Sequence, residues 1–473
     1  MCRRTGWVFT SFIILTAVHP GANAQSLFES SQSGNHENLV STSLTLGGFI
    51  RSVSYLSQSA EDDTYYFQGL YAQAGLLMDA AAGSMASAHA ELRFRYGSEF
   101  RESVAVMELR EAWVKVTAGP ASFRLGKMIN LWGKGSVFNP AHSLAPMDPT
   151  VRSPEENDIY NGVWAIESSV NLGSFSRFTV NWNPLYQASK LLIGPLPLPG
   201  YVEFSDPVFP GVDISESNYG LNYDLFTSFF DLSLYWFEGY SHWPGLAYGS
   251  LQVDFSTLEP ESLVLYEKAY EIRKAALDFS IPAGSFIIRG EGAWQQSGEE
   301  AGIAEYIPWP ELTYTAEAEW MGSQLNLITG YYGKHILAYE PSGAEAYLSA
   351  DPGQFMDLIE QGTLPTSEEV DQGVRDRIGA FNRLYNYQLE ENYHSVFLAG
   401  KLFLWHDQLE IGFPVVYNLT TEEWLLRPGI TYMPADGIRI RAGYEAMFGP
   451  EDSLYDLAGP TLNSVFLSIK LTF

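Results

Sequence analysis

Short segments in which apolar and polar side chains alternate recur along almost the whole chain. Residues at odd and even positions of a β-strand lie on opposite faces, and about ten residues suffice for a tilted strand to cross a bilayer. About eighteen such segments can be marked: 40–55, 64–78, 85–97, 105–117, 121–130, 161–171, 174–184, 217–227, 229–238, 271–280, 284–294, 312–321, 323–333, 392–404, 407–417, 424–433, 436–447 and 461–473. The pattern predicts strands that each have one apolar and one polar face.

The charged residues indicate which face meets water. In segment 436–447, Ile438 and Ile440 alternate with Arg439 and Arg441. An arginine at the bilayer midplane costs roughly 2–4 kcal/mol, so the arginine face must point into an aqueous interior. We therefore predict an all-β fold, a transmembrane antiparallel up-and-down β-barrel of about 18 strands, with 16 strands as the alternative. A barrel of this width encloses an aqueous channel.

The links between the segments alternate in length. Tight turns are predicted at 118–120, 172–173, 282–284, 322, 405–407 and 434–436, and long links at 131–160, 185–216, 239–270, 295–311, 334–391 and 448–460. Short periplasmic turns opposite long extracellular loops are typical of outer-membrane barrels. Composition agrees, because 46% hydrophobic residues combine with a mean hydropathy of only -0.08, as expected when the apolar face is hidden in alternation. The net charge of -29 argues against nucleic acid as a partner.

The two ends of the chain carry export signals. Arg3 and Arg4 precede an apolar run at 7–18 and an Ala-x-Ala sequence that ends at Ala24, which predicts a signal peptide at 1–24. Residues 25–39 are interpreted as a short periplasmic lead-in and 40–473 as the barrel. The only cysteine, Cys2, lies in the signal peptide, so no disulfide is expected.

The last segment keeps an apolar stripe up to its final residue, Phe473. This closing strand resembles that of bacterial outer-membrane β-barrel proteins, which commonly ends in Phe. The resemblance implies a location in the outer membrane of a Gram-negative-type envelope and contact with outer-membrane lipid. It also implies recognition of Phe473 by the barrel-insertion machinery.

Charged residues on the polar faces are the predicted pore-lining groups. The basic set is Arg93, Arg95, Lys115, Arg124, Arg427, Arg439, Arg441 and Lys470, and the acidic set is Glu291, Glu317 and Glu319. Their separation along the chain predicts a basic and an acidic wall with a transverse field across the lumen. The alternative is that these charges pair with neighbours and only keep the wall hydrated.

The link after the fifth segment is rich in glycine and proline. Its notable residues are Trp132, Gly133, Gly135, Asn139, Pro140 and Asp148. Together with Arg124, Gly126 and Lys127, they resemble the strand-to-loop segment of large porin-like barrels, including the alginate-export type. We predict that this stiff link folds into the lumen as a constriction loop. An ordered surface loop outside the pore is the alternative.

Two long links contain helical spacing of apolar residues, one at 366–388 and one at 259–270, and both are interpreted as helices over the mouth or packed loop structure.

No nucleophile elbow or paired-histidine motif is present, so no enzyme activity, cofactor or metal is predicted. The favoured function is passive diffusion of small hydrophilic solutes or saccharides through an outer-membrane channel. A non-conducting adhesin or scaffold is the alternative, and an outer-membrane hydrolase ranks third.

Overall fold

The computed structural model describes residues 42–59, 64–193, 199–254, 259–298, 303–341 and 367–473. The predicted signal peptide at 1–24 and lead-in at 25–39 lie outside the described residues. The first described strand starts at Thr42.

The described part of the chain contains 23 strands and two α-helices. The strands are β1 (Thr42–Gln58), β2 (Tyr65–Ala82), β3 (Ala86–Glu99), β4 (Glu102–Ala118), β5 (Ala121–Met128), β6 (Val163–Asn171), β7 (Ser176–Asn183), β8 (Val202–Phe204), β9 (Asn218–Phe226), β10 (Asp231–Tyr240), β11 (Gly245–Asp254), β12 (Glu259–Lys268), β13 (Glu271–Ala283), β14 (Phe286–Ser297), β15 (Glu311–Met321), β16 (Leu325–Ile336), β17 (Asn392–Leu404), β18 (Leu409–Gly412), β19 (Val415–Asn418), β20 (Glu423–Leu426), β21 (Gly429–Ala435), β22 (Ile438–Phe448) and β23 (Ser464–Thr472). The helices are α1 (Ser367–Tyr385) and α2 (Leu454–Leu462). Neither helix has the length and apolar character needed to span a membrane.

Twenty of the described strands form one antiparallel sheet that closes on itself through β1 and β23. Their pairing runs from Phe49 opposite Thr472 to Leu56 opposite Val465. The consecutive strands β18 and β19 are two pieces of one crossing, and so are β20 and β21. Both breaks fall at a proline, Pro414 or Pro428, which has no backbone N–H for the ladder. The chain therefore crosses 18 times, which confirms the larger of the two predicted strand numbers.

The connections differ between the two ends of the barrel. One end has only short turns, such as those at 119–120, 284–285 and 436–437. The other end carries the long links, except for two tight connections at 100–101 and 419–422. The predicted segregation of loop length is thus largely present, and those two tight connections depart from it.

The strands alternate in exposure as the sequence pattern predicts. In β23, Val465, Leu467, Ile469 and Leu471 are all about half exposed on the outside, whereas Phe466 and Ser468 are buried on the inside. Exposed aromatic side chains mark the short-turn end as an interfacial girdle, and they are Phe175, Phe229, Phe286, Trp405 and Phe473. The apolar stripe of each crossing therefore faces outward.

A small layer lies beyond the long-link end of the barrel strands. Strands β8, β11 and β12 form a separate three-stranded sheet, and α1 packs against β11. Leu263 and Leu265 of β12 share a buried cluster with Ile378 and Phe381 of α1.

The predicted helix at 366–388 is confirmed. The predicted helix at 259–270 is wrong, because alternate residues of that segment are buried, as in a strand, and β12 pairs with β11.

Candidate functional site: the lumenal loop

Residues 129–162, between β5 and β6, fold into the barrel, and we call them the lumenal loop. Its two halves meet at a neck, where the Asp148 N–H donates to the Ile159 carbonyl at 2.7 Å and Met147 forms a β-bridge with Tyr160. The first half, 132–141, and the second half, 152–158, contact different parts of the barrel wall.

The first half is held by Glu291, on the inward face of β14. Its carboxylate accepts hydrogen bonds from the backbone N–H groups of Gly135 at 3.0 Å, Lys134 at 3.1 Å and Ala141. Glu291 is 4% exposed. Gly133 has a φ of +89°, and a side chain at that position would collide with Asn139 and Glu291. The glycine allows the loop backbone to approach the wall closely.

A second wall carboxylate, Glu317 on β15, continues this anchor. It accepts hydrogen bonds from the Ser136 hydroxyl at 2.7 Å and the Ser136 N–H at 3.1 Å. Arg289 forms ion pairs with both Glu317 and Glu319, so positive charge stands within the predicted acidic wall.

Further polar contacts run from the loop to β13. The Lys134 ammonium forms an ion pair with the buried Asp278 at 2.8 Å. In the opposite sense, Lys274 of the wall donates to the carbonyl oxygens of Pro140 at 2.9 Å and His142 at 3.1 Å. The loop backbone therefore meets both acidic and basic wall groups.

Aromatic packing completes the first anchor. Trp132 lies against Tyr235 with ring centroids 5.1 Å apart, and Phe138 stacks on Tyr332 at 4.3 Å. The Asn139 amide donates to the Trp132 carbonyl and closes the turn of the loop. These contacts place the glycine-rich part of the loop within the lumen.

The second half of the loop carries its own carboxylates to the wall. Asp158 forms ion pairs with Arg51 of β1 at 2.5 Å and Arg93 of β3 at 2.7 Å. Burial raises the pKa of Asp158, but the guanidinium groups of Arg51 and Arg93 outweigh burial and lower it well below its ordinary value. Asp158 is therefore a permanent negative charge against the basic wall.

Arginine also reaches from the loop to the wall. Arg152 forms an ion pair with Glu445 of β22 at 2.7 Å, and Glu445 in turn pairs with Arg427 at 2.6 Å. Glu155 lies among three wall cations, Arg439 at 3.4 Å, Arg441 at 3.5 Å and Lys470 at 3.7 Å. The structure thus brings together three of the predicted basic residues around one loop carboxylate.

The other predicted pore residues also lie on inward faces, but most have a partner. Arg95 pairs with Glu99 at 3.0 Å, and Arg124 pairs with Glu167 at 2.8 Å. Lys115 lies opposite Arg124 on the inward side of β4. Glu291, Glu317 and Arg93 lie on inward faces but are buried beneath the lumenal loop. The predicted walls exist as ion-pair networks, so the transverse field is largely offset.

An open cavity of about 650 Å³, which we call the passage, lies between the loop and the wall made by β15–β23. Ser136, Val137, Pro154 and Glu156 of the loop form one side of it. Its charged lining groups are Glu156, Glu319, Glu410, Glu445, Lys401, Arg427 and Arg441. The two signs are nearly balanced, so the passage suits hydrated polar molecules.

Several residues of this site were not predicted. Arg152, Glu155 and Asp158 occupy a link whose acidic residues resemble an ordinary solvated loop. Lys274 and Asp278 are the two charged residues on an inward face of β13 whose other members are Ile272, Ala276 and Ser280. Glu445 shares the alternating face of Arg439 and Arg441, and that pattern is the signal that could have identified it.

A closed 18-strand barrel with an apolar exterior, a charged interior and an inserted loop defines the class of porin-like barrels. No protein-family model and no curated protein matches the chain. Solved structures do match. OccAB4 of Acinetobacter baumannii aligns with a TM-score of 0.51 and 10% identity, over 91% of this chain and 98% of that one.

Two further structures give the same result. OccAB3 of Acinetobacter baumannii has a TM-score of 0.51 at 9% identity, over 91% of this chain and 99% of that one. A BenF-like porin from Pseudomonas fluorescens Pf-5 has a TM-score of 0.50 at 8% identity, over 91% and 98%. The chain therefore has the fold of outer-membrane porins, and at these identities the likeness concerns the fold alone.

Proposed function

We propose that the protein is an outer-membrane channel that lets small hydrophilic solutes or saccharides diffuse passively. The observation that carries this proposal is the lumenal loop. Buried contacts attach it to two parts of the inner wall, yet it leaves a polar passage of about 650 Å³ beside it. A barrel that served only as a scaffold would not need a loop attached so as to leave an opening.

The lining of the passage supports modest selectivity between ions. Both acidic and basic groups line it, and Lys401 pairs with Glu410 at 3.6 Å as Arg427 pairs with Glu445 at 2.6 Å. Paired charges attract water without creating a strong net potential. Uncharged polar solutes should therefore pass along with ions of both signs.

Export and membrane partners belong to the same proposal. The apolar belt would contact outer-membrane lipid, and residues 1–24 would direct export as a cleaved signal peptide. Phe473 would serve as the signal for the barrel-insertion machinery. Its backbone exchanges two hydrogen bonds of 2.9 Å with Gly48 of β1, so the terminal residue takes part in barrel closure.

Two adjacent residues of β17 offer a direct test. Ala399 lines the passage, whereas Leu398 is 42% exposed on the outer face. In planar bilayers the wild-type protein should show stable conductance steps. Ala399→Trp should reduce each step by filling the passage, and the matched Leu398→Trp variant should leave it unchanged. Equal effects of the two variants would contradict the assignment of the faces.

The scaffold or adhesin alternative has one observation in its favour. The layer formed by β8, β11, β12 and α1 presents structure beyond the barrel at the long-link end. Correctly folded barrels that give no conductance in bilayers would support this alternative. Release of fatty acid or peptide products would instead support the hydrolase, for which no described group of residues provides a specific argument.

A further inference from the structure

Three potential metal ligands converge on the inward faces of β3 and β4, away from the passage described above. They are His89 and Glu91 of β3 and Glu111 of β4, and one donor atom from each lies within 4.8 Å of the others. Glu91 lies directly opposite Glu111 in the strand pairing. Two opposed carboxylates repel each other, and a divalent cation between them would remove that repulsion.

The orientation of His89 is an independent indication. Its Nδ1 lies 2.7 Å from the Asp79 carboxylate, and its ring stacks on Trp113 with centroids 5.6 Å apart. An ionised carboxylate only accepts hydrogen bonds, so with a neutral imidazole Nδ1 carries the proton and Nε2 keeps its lone pair. Metal-binding histidines usually donate their second ring N–H to such a carboxylate. Asp79 thus fixes the orientation of the His89 ring and leaves the Nε2 lone pair for a metal.

Hydrogen bonds also hold the two glutamates in place, and they use only one oxygen of each carboxylate. One Glu91 oxygen accepts from Arg93 Nε at 2.6 Å, and one Glu111 oxygen accepts from the Ile129 N–H at 2.9 Å. The second Glu91 oxygen is 3.9 Å from Arg110 Nε, beyond a direct hydrogen bond. Each carboxylate therefore retains one oxygen that can bind a metal. The ion pair with Arg93 offsets part of the negative charge of Glu91.

We propose that His89, Glu91 and Glu111 form a binding site for a divalent transition-metal ion of the Zn²⁺ type, with Asp79 as a positioning residue. One imidazole nitrogen and two carboxylate oxygens suit Zn²⁺, which takes a water as its fourth ligand. Mg²⁺ prefers all-oxygen octahedral coordination and fits this donor set poorly. The site does not depend on the proposed channel function.

Binding can be measured directly on the detergent-solubilised full barrel by isothermal titration with Zn²⁺. One Zn²⁺ per chain is expected, with much weaker binding of Mg²⁺. His89→Gln should abolish binding, whereas Asp79→Asn should weaken it by about 10–100-fold, as outer-shell changes do. The matched control is His335→Gln, because His335 also bonds a side chain, Asn392 at 2.9 Å, but belongs to no such cluster among the residues that the structure describes.

A spectroscopic measurement separates the site from adventitious binding. Co²⁺ substituted into the wild-type protein should give the visible absorption of low-coordinate cobalt, and His89→Gln should remove it. Heat-modifiable gel mobility reports whether each variant still forms the barrel. Zn²⁺ affinity that is unchanged in folded His89→Gln, or affinity for Mg²⁺ equal to that for Zn²⁺, would overturn the proposal.

Discussion

The two halves of the lumenal loop are attached to the barrel by opposite arrangements of charge. In the first half, wall carboxylates accept hydrogen bonds from the loop backbone, as Glu291 does from Lys134 and Gly135. In the second half, the loop supplies carboxylates, and wall arginines bind them, as Arg51 and Arg93 bind Asp158. The same loop thus neutralises both the acidic and the basic parts of the wall.

The difference between the two attachments shows which contacts depend on the loop's side chains. Backbone N–H groups are present whatever residues the loop carries, so the first attachment depends on the wall glutamates and on glycine at tight positions. The second attachment depends on individual loop carboxylates and loses strength when one is replaced. Substitutions in the wall should therefore have the largest effects on the first half, and substitutions in the loop on the second.

The largest effect is expected from Glu291→Ala. The N–H groups of Lys134, Gly135 and Ala141 would lose their common acceptor while still buried. Breaking a buried charged network costs about 3–5 kcal/mol, and three lost bonds place this variant near the upper end. The first half should leave the wall, single-channel conductance should rise, and trypsin should cleave at Lys134.

Glu238→Ala is the control, since Glu238 pairs with the exposed Arg273 at 2.9 Å and is not among the residues that line the passage. Its conductance should stay close to that of the wild-type protein. If Glu291→Ala kept both the wild-type conductance and the resistance to trypsin, Glu291 would not be the main anchor.

A somewhat smaller effect is expected from Asp158→Asn. The change leaves Arg51 and Arg93 buried against a neutral amide, which should cost about 3 kcal/mol of loop attachment. The loss of one negative charge beside these two guanidinium groups should also shift the permeability ratio toward anions, as measured by the reversal potential in a salt gradient. A reversal potential equal to that of the wild-type protein would show that these charges do not reach the conducting path.

The barrel could be predicted from the sequence because the membrane imposes a strict rule on every crossing. When one face of a strand meets lipid, alternation such as that of Arg439 and Arg441 with Ile438 and Ile440 implies that the arginine face points into the barrel. The rule does not apply beyond the membrane, and there the prediction failed for β12, whose residues 259–270 suggested a helix. Helix α2 was missed for the same reason, within a link predicted at 448–460.

The lumenal loop was predictable as a stiff insertion, but its partners were not. Gly135 and Glu291 are 156 residues apart, and nothing local in either segment identifies the other. The charge of Glu155 or Asp158 has the same appearance in the sequence whether it faces solvent or an arginine. Only the closed barrel brings β22 close to β1 and β3, so that these strands together form the wall that the second half of the loop contacts.

A pH dependence is expected at the neck of the loop. Burial lowers the pKa of His142 and of His242 to about 4. A detached loop would expose these histidines, which would then bind protons below about pH 6.5. Between about pH 6.5 and 4 the detached form binds more protons, so the attached form loses stability as the pH falls.

Single-channel conductance, followed from pH 7 to pH 4, measures this loss because a detached loop widens the opening. The variant with both His142→Gln and His242→Gln should show a flatter dependence, because Gln does not titrate in this range. An identical pH dependence in the variant and the wild-type protein would assign the effect to other groups.

The smallest effect is expected from Glu155→Gln. Glu155 lies 3.4–3.7 Å from three cations, and the Arg439 side chain is 44% exposed, so each pair contributes less than about 1 kcal/mol. Loop attachment should remain unchanged by the trypsin assay, whereas anion permeability should rise modestly at low salt. In 1 M salt, where the Debye length is about 3 Å, the difference in anion permeability between the variant and the wild-type protein should fade.

Asp436→Asn is the control, because it removes the same charge from an exposed short turn and should leave the reversal potential unchanged. If it shifted that potential as much as Glu155→Gln, net charge rather than the position of Glu155 would control permeation, and the second half of the loop would have no specific electrostatic role.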